Sequence, residues 1–204
     1  MLKILINESD LMFLSGMKCF LSHFFRIRFG QECEFITDYT VNNIAIADVI
    51  ILSLCKGERY TCIPELRVRR KGIIIGLVDD IDNSTKSPYC FSDIVYVSRR
   101  ASINDITQKL TVAWQKWVMS KNFSRHHSCF GCNHLTLTHQ QREIMYRFYQ
   151  GRTVHQVAKY MNINYKTVTA HKYLVMHKFN LKSDYDLYRF LGMLRDKSIT
   201  RLFL

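Results

Sequence analysis

Between Lys166 and Lys178 the chain sets cations, hydroxyls and small or ring side chains at helical spacing: Lys166, Thr167, Thr169, Ala170, His171, Lys172, Tyr173 and Lys178. Cations suit phosphates, while hydroxyl, small and aromatic groups can meet base edges, so this set fits recognition of a nucleic acid. A basic amphipathic helix alone is weak support, since most are solvated faces, and the neighbouring elements must decide. A second group lies in HHSCFGCNH, where Cys129 and Cys132 stand beside His126, His127 and His134. Thiolates and imidazoles suit zinc, but structural zinc sites usually draw their second ligand pair from a distant segment, and these are all clustered. A polar linker is the preferred reading, with metal binding or redox sensing as the alternative. No Gly-rich phosphate loop, metal-ligating pair on a helix or nucleophile elbow appears, so neither an enzyme nor a cofactor is expected.

The basic face needs elements to hold it. TLTHQQREIMYRFYQGR opens on a Thr138 cap with Gln141 three residues on, a capping box, and stops at Gly151. TVHQVAKYMNI follows with Thr153 as cap, the turn NINY leads into KTVTAHKYLVMHKFN, and Ser183 caps DYDLYRFLGMLRD. Two short helices, a tight turn and a longer basic helix predict a helix-turn-helix. Val157, Ala158, Met161, Ile163, Val168, Leu174, Val175 and Met176 are expected to supply its packing, with small Ala158 permitting close approach. Leu187, Phe190, Leu191 and Leu194 on the last helix are expected either to close that core or to contribute to a dimer contact.

Charge separates this half from the rest of the 204 residues, which carry +12 in all. Residues 1–120 hold 15 basic against 13 acidic side chains, and residues 121–204 hold 14 against 4. A basic C-terminal half attracts a polyanion, and double-stranded DNA is the expected partner. With no run of 18 uncharged apolar residues, and Glu8 and Asp10 interrupting the first apolar stretch, no membrane association is expected and the protein reads as cytoplasmic. Cys19, Cys33, Cys55 and Cys90 sit among apolar residues and are expected to be small buried hydrophobes.

The N-terminal half alternates apolar strands with helical stretches. LKILIN, CEFIT, DVIILSL, GIIIGLV and DIVYVS read as strands, the central ones apolar enough to be buried on both faces. ASINDITQKLTVAWQKW reads as a helix capped by Ser102. The expected fold is therefore an α/β doubly wound parallel sheet over 1–117, a linker over 118–134 and an all-α helix-turn-helix domain over 135–204. The basic run Arg67 to Lys71 is expected to be a solvated loop, with an interaction surface as the alternative.

The segment LTLTHQQREIMYRFYQGRTVHQVAKYMNINYKTVTAHKYLVMHKFNL resembles the LuxR-type helix-turn-helix in Leu137, Thr138, Glu143, Gly151, the Val157-Ala158 pair, and Lys166, Thr167, Val168 and His171. It departs in His139, where proline is usual, and in Asn180, where glycine is usual, although asparagine also suits a left-handed helix end. The resemblance implies that Thr169, Ala170 and Tyr173 face bases, with Lys166, Thr167, His171, Lys172 and Lys178 on or near phosphates. Residues 1–117 in turn resemble a receiver of NarL-type response regulators. In that resemblance Glu8 keeps one metal-binding acid, Ser9 replaces the other, and Ser53 replaces the phosphoacceptor aspartate. Leu77 or Val78 takes the hydroxyl position and Arg99 the lysine position, which implies a degenerate phosphorylation site.

Such degenerate receivers are similar to those of the auxiliary LuxR-type regulators of enteric bacteria, the RcsA and BglJ group. The expected function is thus a sequence-specific DNA-binding regulator, not controlled by aspartyl phosphorylation. It is expected to act as a homodimer, or as a heterodimer with a LuxR-type response regulator, on surface-structure, capsule or virulence genes. The alternative is an auxiliary subunit that modulates another response regulator through protein contacts and binds DNA weakly itself.

Overall fold

A computed structural model describes residues 1–79, 93–120 and 135–196, which form two compact units. The Cys129 and Cys132 cluster lies outside the described residues, as does Cys90.

In the first unit, five strands run parallel: β1 (Leu2–Asn7), β2 (Cys33–Ile36), β3 (Val49–Ser53), β4 (Ile73–Val78) and β5 (Ile94–Ser98), in the order β2-β1-β3-β4-β5. This is one of the two common doubly wound orders. The β4 run Ile-Ile-Ile-Gly-Leu-Val is buried at every position, as a strand covered on both faces must be. On one face, α1 (Leu11–Phe29) and α3 (Ile103–Met119) pack Phe25 and Trp114 against Ile4, Ile51 and Ile75. On the other, α2 (Val41–Ile46) and a 3-10 turn over Pro64–Val68 cover Leu5, Ile50 and Ile74 with Ile44 and Leu66.

Local chemistry starts and stops these elements. Asp10, Thr40 and Ser102 accept hydrogen bonds from the first free amides of α1, α2 and α3. Gly72 turns the chain into β4 at φ +82, with its α-carbon so close to the Asp48 carbonyl that an added Cβ would fall 2.0 Å from the oxygen. Two expectations fail in this unit. Cys19 is exposed on α1 rather than buried, since its position lies on the side of the helix away from Met17, Leu21, Phe24 and Phe25. Arg69 is buried rather than solvated, and its guanidinium pairs with Asp93.

The second unit carries four helices: α4 (His139–Tyr149), α5 (Val154–Met161), α6 (Tyr165–Lys178) and α7 (Asp184–Asp196). Both expected capping boxes form, Thr138 with Gln141 and Thr153 with Gln156. Asn162 ends α5 and Asn180 follows α6, each in the left-handed region at φ 52 and φ 53. The core gathers Ile144, Met145 and Phe148 of α4, Val157 and Ala158 of α5, Val168, Val175 and Met176 of α6, and Leu187, Phe190, Leu191 and Leu194 of α7. The four α7 residues are fully enclosed, so they close the core of this unit. The segment Cys55–Thr61 belongs to the same unit and adds Tyr60 to its core.

Candidate nucleic-acid interface

Helix α6 owes its start to Asn164, whose side chain accepts the Lys166 amide at 2.8 Å. Its buried side is fixed by Val168, Val175 and Met176. Successive residues advance about 100° around a helix, so the opposite side is centred on Ala170. There the structure exposes Lys166, Thr167, Ala170, Tyr173, Leu174 and His177, with Thr169 half-buried at the margin. Helix α5 braces α6 through Val157 and Ala158, as the small residue at 158 allows.

The residues singled out in the sequence are not all brought to this face. Lys166, Thr167, Ala170 and Tyr173 share it. Lys172 points toward the α4 and α7 side, where its ammonium lies 2.7 Å from an Asp184 carboxylate oxygen and 5.9 Å from the centre of the Phe148 ring. The Lys178 ammonium donates to the Thr136 carbonyl at 2.5 Å. On His171, Nδ1 is buried and has no hydrogen-bond partner among the described residues. Leu174, assigned to the packing from its apolar neighbours, is instead 56% exposed. Three consecutive apolar residues, 174 to 176, span about 200° of helix, and only the last two fall within reach of the core. Sequence reading also passed over Arg152 and Lys159, both exposed, and Arg147, which sits 3.9 Å from the Tyr160 ring centre and pairs with Glu143 at 2.8 Å.

The first unit holds a separate charged cluster where β1, β3 and β5 end. Ser53 donates to a Glu8 carboxylate oxygen at 2.5 Å, and Arg99 Nη1 reaches the same oxygen at 2.6 Å and the Ser53 hydroxyl at 3.0 Å. The Asp10 amide donates to the other Glu8 oxygen at 2.9 Å. Phe13 lies under the guanidinium, 4.3 Å from ring centre to Cζ. Glu8, with 2% of its side chain exposed, is thus almost wholly enclosed by donors. Burial opposes its ionisation, but the Asp10 amide, the Ser53 hydroxyl and the Arg99 guanidinium outweigh burial and hold its carboxyl below the ordinary value. Leu77 and Val78 are both apolar and buried, so neither offers a hydroxyl here, and Ser9 is exposed.

Among the described residues, no group of three or more His, Cys, Asp or Glu side chains is placed to hold a metal ion. No described helix is long and apolar enough to cross a membrane.

With the helix-turn-helix geometry in place, comparison with known proteins assigns the second unit. Residues 135–191 match the family model of bacterial regulatory proteins, luxR family. That segment is a LuxR-type helix-turn-helix domain, and the first unit has a parallel five-stranded sheet folded like that of a receiver domain. The two-component response regulator RcsB, solved in a complex with DNA, is 20% identical, with 94% of this chain and 98% of that one aligned at a TM-score of 0.54. RcsB from Salmonella enterica serovar Typhimurium, bound to promoter P1flhDC in the presence of phosphomimetic BeF3-, is 18% identical over 93% of this chain and 97% of that one at a TM-score of 0.58. A structure of two RcsB dimers bound to two parallel DNAs aligns at 19% identity and a TM-score of 0.54, covering 94% and 98% of the two chains. At these identities the likeness is one of fold. No curated protein matches the chain at a significant level.

Proposed function

We propose that this chain is a sequence-specific DNA-binding transcription regulator that lays α6 in the major groove and is not controlled by aspartyl phosphorylation. The observation that carries the reading is the outward face of α6, exposed in a segment that matches the luxR family model. In a helix-turn-helix the second helix meets base edges while the first crosses the backbone. Ala170 and Tyr173 then face bases, with Thr169 at the edge of that face, and Lys166 and Thr167 approach phosphates. Lys172 and Lys178 serve mainly to hold α6 against Asp184 and the Thr136 carbonyl, so their cations contribute less to DNA than their charge suggests.

The charged cluster of the first unit supports the second half of the proposal. Serine at 53 has no carboxylate to ligate magnesium or form a mixed anhydride, and Arg99 supplies an internal cation beside Glu8. Control then falls to the amount of protein or to pairing, as a homodimer or with a response-regulator partner; the RcsB dimers on DNA are the parallel for pairing.

Duplexes enriched from a random pool by the full chain test the first half. Tyr173→Ala should change the enriched sequence and Lys166→Ala should lower affinity for all sequences; if neither change alters binding, the α6 assignment is wrong. Acetyl phosphate with magnesium should leave DNA affinity unchanged, and a reproducible shift would refute phosphorylation-independence. The engagement of Lys172 and Lys178 also favours a second reading, an auxiliary subunit with weak DNA contacts of its own. A footprint that appears only when a partner regulator is added would select that reading.

A further inference from the structure

The outward face of α6 is more apolar than a solvated helix needs. Tyr173 is 62% and Leu174 56% exposed, and both adjoin exposed Ala170. Leu174 follows Ala170 by four residues, about 40° around the helix, so its branched end lies one turn along the same side. It takes no part in the core of this unit, which is built from Val168, Val175 and Met176 on the opposite side of α6. Lys166 and Thr167 sit in the first turn of this face and His177 near its end, and between them Ala170, Tyr173 and Leu174 form an exposed stretch with no charged side chain.

We infer that Leu174, together with Ala170, forms an apolar seat for the C5-methyl group of a thymine and is a specificity-determining residue of this domain. The inference rests on the proposed placement of α6 in the major groove. There thymine alone presents a methyl group, and an apolar side chain gains by removing that methyl from water without needing a hydrogen-bond partner. Neither Lys172 nor Lys178 competes for this part of the groove, because Asp184 and the Thr136 carbonyl draw them to the flanks. Tyr173, on the other side of Ala170, bounds the seat and limits how far the helix can roll.

Deleting one methyl from DNA isolates the contact. The full chain is used to enrich duplexes from a random pool, and each thymine of the enriched site is then replaced singly by uracil, which removes only the C5-methyl. At one position the native protein should lose about fourfold in affinity, the worth of one buried methyl group. Leu174→Ala should bind the thymine and uracil versions of that site equally, and Leu174→Met, which keeps an apolar end, should restore the preference. All three proteins should melt alike, since the side chain is outside the core. If Leu174→Ala weakens both versions equally or keeps the full preference, or if no thymine of the site responds to uracil, the inference is overturned while DNA binding stands. If no sequence is enriched from the pool, the DNA-binding reading itself fails and this inference with it.

Discussion

Arg99→Met removes the guanidinium from Glu8 while keeping an unbranched apolar stem over Phe13. Glu8 would remain buried and ionised at pH 7, with the Ser53 hydroxyl and the Asp10 amide as its remaining donors. Stripping one partner from a fully buried pair costs about 3–5 kcal/mol. The Arg99 side chain is 24% exposed and two donors survive, so the expected loss is about 2 kcal/mol after allowing for solvent screening. The loss should also depend on pH. In the native protein the Glu8 pKa is lowered from 4.5, so its ionisation stabilises the fold above about pH 4.5, a contribution lost as pH falls through the lowered value. Without Arg99 the burial penalty is less opposed and the folded pKa moves upward, so the difference between variant and native should shrink as acid protonates Glu8. Both tryptophans, Trp114 and Trp117, lie on α3, so their fluorescence during urea unfolding at pH 7 and pH 4 reports on the first unit alone. A difference that is near zero at pH 7, or equal at the two pH values, would refute the role given to Arg99.

Three further outcomes are expected. Lys166→Ala should weaken DNA binding and reduce the slope of log affinity against log salt by about one, whereas Lys172→Ala should leave the slope nearly unchanged because Asp184 already holds that cation; anisotropy titrations at several salt concentrations distinguish them. Asn180→Gly should raise the melting temperature of the second unit slightly and Asn180→Ala should lower it by the equivalent of about 1 kcal/mol, since φ is 53 at this position; equal melting of the two would contradict the left-handed assignment. Gly72→Ala should destabilise the first unit by more than about 2 kcal/mol, because the positive φ is strained and the new Cβ would meet the Asp48 carbonyl at 2.0 Å; a well-folded variant in urea unfolding would show that the turn can relax.

Apolar strands and local caps were legible in the sequence because each is decided by residues close along the chain. A run such as Ile73 to Val78 has too little polarity to face water on either side, and it is buried throughout. Thr138 with Gln141, and Thr153 with Gln156, satisfy helix amides within one turn and so announce where helices begin. The phase of α6 was less legible. Leu174, Val175 and Met176 are equally apolar, and which two turn inward depends on where α4, α5 and α7 meet the helix.

The sequence by itself determined the five parallel strands, the helix boundaries of the second unit and the basic bias toward the C-terminal half, since propensity, capping and charge are properties of neighbours or of sums. Only the tertiary structure decided which charged groups remain available. Lys172 finds Asp184 twelve residues on, Lys178 finds the Thr136 carbonyl 42 residues back, and Arg99 finds Glu8 across 91 residues. Pairings over such separations exist only once the chain has folded, because no local pattern brings the partners together. They leave α6 with a less cationic and more apolar face than its composition implies, and they enclose Glu8 and Ser53 in a cluster that carries its own cation.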